Sequence, residues 1–85
     1  MSVNQALIGK MADEMYKMVE EATGLKKLKP QDLFKAMKQL HEKEDVTTRD
    51  AKQALRILID SGKLVYTYFG GTFVEIPHKE GAAND

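Results

Sequence analysis

A stretch near the middle of the chain combines side chains that can hydrogen-bond to nucleic-acid bases. Arg49, Gln53 and Arg56 recur at helical spacing. Arginine can offer two donors to guanine and glutamine can pair with adenine, so these three residues are candidates for base contacts in a DNA major groove. The accompanying candidates for phosphate contacts are Thr48, Lys52, Lys63, Lys35 and Lys38. The same spacing also fits a solvated helix face that binds nothing.

The charge balance limits how strongly such a surface could hold DNA. The formal net charge of the 85 residues is zero, although residues 26–63 carry ten basic and six acidic side chains. Asp50 and Asp60 lie close to the basic face, and the segment from Leu64 to His78 contains no lysine or arginine. Because phosphate neutralisation supplies much of the affinity for DNA, we expect modest, salt-sensitive binding.

Aromatic residues near the C-terminal end suggest a different partner. Tyr66, Tyr68 and Phe73 alternate along a predicted β-hairpin with Phe69 close to its turn. Exposed aromatic side chains are frequent in the centres of protein interfaces, so this strip predicts a protein-interaction surface. In the alternative interpretation, the first helix and a short edge strand cover part of the strip. A second copy of the chain, joined through the first helix or the hairpin, is a further candidate partner.

Residues for catalysis or cofactor binding are scarce. The chain has no cysteine and no glycine-rich phosphate loop, and His41 and His78 lie far apart in sequence without a second nearby ligand. We therefore expect no enzyme activity, no metal and no cofactor. The absence of cysteine, of a long apolar run and of an export signal indicates a cytoplasmic protein.

The positioning elements begin with a helix that Ser2 and Gln5 cap and Thr23-Gly24 ends. Leu25 to Lys29 is a candidate short edge strand, and a second helix begins at Pro30. Each helix has an apolar face at helical spacing. These faces consist of Leu7, Ile8, Met11, Met15, Met18, Val19 and Ala22 in the first helix, and of Leu33, Phe34, Met37 and Leu40 in the second.

The third helix runs from about Thr47 to Ser61. Thr47 and Asp50 form a capping box, and Gly62 ends the helix. Its inward positions are Ala51, Ala54, Leu55, Leu58 and Ile59. A hairpin from Lys63 to Pro77 follows, with Gly70-Gly71 as a two-residue turn.

The predicted turn also fixes the pairing of the two strands. It places Phe69 opposite Thr72. The side chains of Val65, Thr67, Val74 and Ile76 then share one face, and those of Tyr66, Tyr68, Phe73 and Glu75 the other. We expect one domain over residues 1–80 and a C-terminal tail over 81–85.

The predicted order, α-β-α-α-β-β in an α+β protein, resembles the winged helix-turn-helix family, as does the ending of the third helix in Leu-x-x-Leu-x-x-x-Gly-x-Leu. In that family the third helix recognises DNA and the hairpin is the wing, which implies a transcription-regulator-like role. The spacing of Arg49, Lys52, Leu55, Leu58, Leu64 and Tyr66 is also similar to the small D proteins of dissimilatory sulfite reductase. That resemblance implies a module that binds a redox enzyme or DNA.

Overall fold

The computed structural model describes residues 5–77, and these residues form three α-helices and one two-stranded antiparallel sheet. The predicted cap at Ser2 and the predicted tail at 81–85 lie outside this range. The α-helices are α1 (Gln5–Ala22), α2 (Pro30–Leu40) and α3 (Thr48–Asp60), and the strands are β1 (Val65–Tyr68) and β2 (Thr72–Glu75).

Helix α1 follows the predicted apolar periodicity. Met11 and Met15 are fully buried in the common core, whereas Leu7 and Met18 pack at its edge. The methionines of this face are therefore core residues, for which their flexible side chains are well suited. The helix ends where expected, since Gly24 has a φ of +84°, a conformation that glycine adopts without strain.

Helix α2 departs from the prediction at its C-terminal end. Leu33, Phe34 and Met37 are buried, but Leu40 is 62% exposed. The predicted inward position of Leu40 is therefore wrong. His41, which follows it, is buried instead and lies with Nε2 2.6 Å from Glu14 Oε1 of α1.

Helix α3 has the predicted capping box at its start. The Asp50 amide donates to Thr47 Oγ1 at 3.2 Å, and the Thr47 amide donates to Asp50 Oδ2 at 3.0 Å. A 3-10 helix (Glu42–Glu44) leads into this cap. Gly62, with a φ of +81°, ends the helix as predicted and directs the chain toward β1.

The hairpin pairing differs from the predicted register by one residue. Tyr68, not Phe69, lies opposite Thr72, so Phe69, Gly70 and Gly71 form a three-residue loop. Gly70 alone supplies a positive φ in this loop, at +78°, whereas the two-residue turn most typical of Gly-Gly needs it at both positions. The predicted faces are therefore wrong.

The observed register separates the aromatic residues. Tyr66 lies opposite Val74 and shares its face, whereas Phe73 lies opposite Thr67 on the other face. Val74 is buried in the core, so the Tyr66 face is the one that faces the helices. The single aromatic strip predicted from the sequence does not form.

The predicted first strand is reduced to one β-bridge. Leu28 pairs antiparallel with Val74, and the Val74 amide donates to the Leu28 carbonyl oxygen at 2.8 Å. The order of full elements within residues 5–77 is thus α-α-α-β-β, which corrects the expected α-β-α-α-β-β. The class is α+β, and the arrangement is compatible with a winged helix.

Candidate nucleic-acid interface

The surface of α3 that faces away from the core contains the predicted base-contacting residues. Ala51, Ala54, Leu55 and Leu58 are buried against α1 and α2, which leaves the opposite side of the helix in solvent. At 3.6 residues per turn, that side is a single stripe. The exposed residues of α3 are Thr48, Arg49, Lys52, Gln53, Arg56, Ile57 and Asp60, and we call Arg49, Lys52, Gln53 and Arg56 the basic stripe.

One acidic residue interrupts this stripe. Arg56 Nε lies 3.6 Å from Asp60 Oδ2, one helical turn further along. Both side chains are largely exposed, and exposed ion pairs contribute little free energy, so a stronger anion can displace Asp60. Asp50 is different, because its carboxylate accepts the Thr47 amide in the helix cap.

Helix α2 contributes a lysine to the beginning of α3. Lys38 Nζ lies 3.1 Å from Thr48 Oγ1, and both side chains are exposed. Lys35, one turn before Lys38, lines the same shallow groove together with Gln31 and Phe34. Two predicted phosphate-contacting lysines therefore lie near the N-terminal end of α3, where the positive end of the helix dipole favours anions.

Lys63 lies in a different place. It lines a groove between α1 and α3 together with Lys10, Asp13 and Ile57. Lys52 lies in a separate groove on the other side of α3. The sequence analysis predicts that Lys63 contacts phosphate together with the other candidates. In the structure, Lys63 does not lie near the start of α3.

A groove of about 460 Å³ separates α3 from the hairpin. Phe34 and Leu55 are its most buried lining residues, and Tyr66 of β1 closes one side. Lys52 and Arg56 lie on its α3 side. The groove thus connects the basic stripe of α3 to Tyr66, which is 39% exposed.

On the hairpin face opposite Tyr66, positive charge is supplied by lysines of the segment that precedes α2, since the two strands and the loop between them contain none. Lys27 Nζ lies 4.6 Å from the centre of the Phe69 ring and 5.9 Å from that of Phe73. Lys29 Nζ lies 6.0 Å from the Phe73 ring centre. Lys27 also pairs with Glu75 at 3.0 Å.

Sequence reasoning missed Lys27 and Lys29 as functional candidates. The sequence does contain a pattern that places them, because Leu25 to Lys29 is a candidate edge strand. In such a strand the buried Leu28 turns its two neighbours to the other face of the sheet. That face is also the face of Phe73 and Glu75.

The histidines and acidic residues offer no metal centre within the part of the chain that the structure describes. No three of its His, Cys, Asp or Glu side chains form a group that could hold a metal ion. His41 instead hydrogen-bonds to Glu14, and His78 lies outside residues 5–77. Across the same residues, no helix combines the length and the apolar character that crossing a membrane requires.

Comparisons of the chain with family models, with curated proteins and with solved structures find no match.

Proposed function

We propose that this protein is a non-enzymatic, cytoplasmic DNA-binding module with a transcription-regulator-like role. In this proposal α3 enters the major groove, where Arg49, Gln53 and Arg56 contact base edges. Lys35, Lys38, Thr48 and Lys52 contact phosphates beside it.

The 3.1 Å contact between Lys38 Nζ and Thr48 Oγ1 is the observation that carries this proposal. An exposed ammonium beside a helix N-terminus creates a position where one phosphate can accept from both the lysine and the hydroxyl. In major-groove recognition, phosphate contacts fix the register of the helix and base contacts supply the specificity. The contact therefore gives α3 an anchor at the same end as Arg49.

Fluorescence anisotropy with a labelled random-sequence duplex at low salt tests the proposal. The Arg49→Ala/Arg56→Ala double variant is expected to bind severalfold more weakly, because it removes two positive charges from the surface that faces the duplex. The Lys10→Ala/Lys17→Ala variant removes the same charge from the exposed face of α1 and serves as the matched control. Equal affinities of the arginine double variant and the wild type would refute binding through α3.

The second candidate function is binding to a protein partner, and the groove between α3 and Tyr66 favours it. Apolar grooves with an exposed aromatic side chain and a polar edge are typical of protein interfaces. The resemblance to the small D proteins suggests dissimilatory sulfite reductase as the partner, with this chain as an accessory protein. In this alternative Tyr66 and Tyr68 contact the enzyme.

Binding to purified dissimilatory sulfite reductase separates the two candidates. Tyr66→Ala and Tyr68→Ala should each weaken that binding severalfold, because truncating a buried aromatic anchor costs more than truncating a peripheral contact. Leu25→Ala is the control, since Leu25 is an apolar residue that is even more exposed than the two tyrosines and does not line the groove beside Tyr66. No measurable binding of the wild type would exclude this enzyme as the partner.

A further inference from the structure

The face of the hairpin opposite Tyr66 combines an exposed aromatic ring with fixed positive charge. Phe69 is 71% exposed at the tip of the hairpin. Lys27 Nζ lies over its ring at 4.6 Å from the ring centre, a cation–π contact that leaves most of the Phe69 side chain in solvent. We define Lys27, Lys29, Phe69 and Phe73 as the wing cluster.

The position of Lys27 is determined by polar contacts. Glu75 Oε2 accepts from Lys27 Nζ at 3.0 Å and from Thr67 Oγ1 at 2.7 Å. Because Thr67 and Glu75 are both on paired strands, they hold the ammonium on this face of the sheet. An ordered lysine beside an ordered ring costs less entropy when a ligand binds than two freely rotating side chains would.

From this arrangement we infer that the wing cluster binds an unpaired nucleic-acid strand. A base stacks on the exposed part of the Phe69 ring, and the adjoining phosphates lie beside Lys27 and Lys29. Proteins that bind single strands use this combination of an aromatic platform and basic side chains. The proposal is independent of duplex binding by α3.

The charge and chemistry of the cluster favour a nucleotide over an acidic peptide. Lys27 and Lys29 are exposed and Glu75 pairs with Lys27, so this face keeps an excess of positive charge that attracts a polyanion. An acidic peptide would use the lysines and leave the Phe69 ring without a partner. A nucleotide provides a flat π-face and an anion in adjacent positions, which uses both.

The surface is separate from the one proposed for duplex DNA. Phe73 and Glu75, with Lys27 beside them, lie on the hairpin face opposite Tyr66, whereas Tyr66, Lys52 and Arg56 border the groove on the other side. The Arg49→Ala/Arg56→Ala variant should therefore bind single strands as the wild type does. Loss of duplex binding without loss of single-strand binding in this variant would therefore distinguish the α3 proposal from the wing-cluster proposal.

Anisotropy titrations with fluorescein-labelled dT10 and rU10 at low salt test the proposal, the two strands distinguishing DNA from RNA. Phe69→Leu keeps an apolar side chain but removes the π-face, and it should weaken binding of the preferred strand at least about fivefold. Lys27→Gln should weaken it by a similar factor and lower its salt dependence. Tyr68→Leu, an equally exposed aromatic residue on the other face, is the matched control and should bind as the wild type does.

A tryptophan at position 69 gives a direct readout of stacking. The chain contains no tryptophan, so Phe69→Trp introduces a single indole whose emission should be quenched by added dT10 or rU10. Thermal unfolding of each variant checks that the fold is kept. The proposal would be overturned if Phe69→Leu bound the strands with wild-type affinity, or if Tyr68→Leu lost as much affinity as Phe69→Leu. It would also be overturned if polyglutamate bound as tightly as the strands and Phe69→Leu did not weaken that binding.

Discussion

His41 joins α1 to the connection between α2 and α3. Its Nε2 atom lies 2.6 Å from Glu14 Oε1, and its Nδ1 atom lies 3.7 Å from Glu44 Oε1. The residue is 6% exposed, in a stretch whose other residues from Glu42 to Asp45 are all exposed. The imidazole therefore fixes the start of this connection, and the buried Val46 fixes its end.

Replacement of His41 by alanine should lower the free energy of unfolding by about 1–3 kcal/mol, because it removes a buried hydrogen bond and leaves space beside α1. Urea unfolding followed by circular dichroism measures the change. Glu42→Ala is the control, since the neighbouring side chain is exposed, and it should change stability by no more than about 0.5 kcal/mol. A His41 variant as stable as this control would show that the contact with Glu14 contributes nothing.

The start of α3 is a helix terminus closed by a reciprocal pair of capping hydrogen bonds. The reciprocal bonds between Thr47 and Asp50 satisfy two backbone amides that the helix itself leaves free. Thr47 precedes Arg49 and Asp50 follows it, so the cap also fixes the helical turn in which Arg49 lies. Stability and the position of the candidate interface thus depend on the same residues.

Thr47→Ala should reduce stability by about 1 kcal/mol, the usual cost of removing an N-cap side chain. Thr48→Ala, one residue later and exposed, lacks the capping bond and should leave stability within about 0.5 kcal/mol of the wild type. Thermal unfolding of both variants under one condition makes the comparison. Equal losses in the two variants would mean that the cap is not the stabilising feature.

The limits of the sequence prediction are also clearest for single elements. The capping box and Gly62 could be recognised because local hydrogen bonds and a positive φ require particular residue types. Gly70-Gly71 predicted a turn but fits two loop lengths, and a shift of one residue moved Phe73 to the other face. The burial of His41 and the approach of Lys27 to Phe69 depend on tertiary packing, which no local pattern encodes.

The whole molecule has no net charge, yet its positive charge is concentrated where the proposed interface lies. Residues 26–63, which include α2 and α3, have ten basic and six acidic side chains, and the rest of the chain compensates. A neutral protein with such a separation can still orient toward a polyanion, because the local field rather than the total charge acts at short range. Affinity for a duplex should consequently depend on a few identifiable lysines.

Salt dependence measures how many of those lysines contact phosphate. For duplex DNA the logarithm of the affinity falls linearly with the logarithm of the salt concentration, by about 0.9 for each phosphate neutralised. Lys38→Ala should therefore make the slope shallower by about 0.9 while it weakens binding to every duplex sequence to the same extent. Lys17→Ala removes the same charge from the exposed face of α1 and should leave the slope unchanged. A slope that decreases equally in both variants would mean that general charge attracts the duplex, and that the contact between Lys38 and Thr48 does not anchor α3.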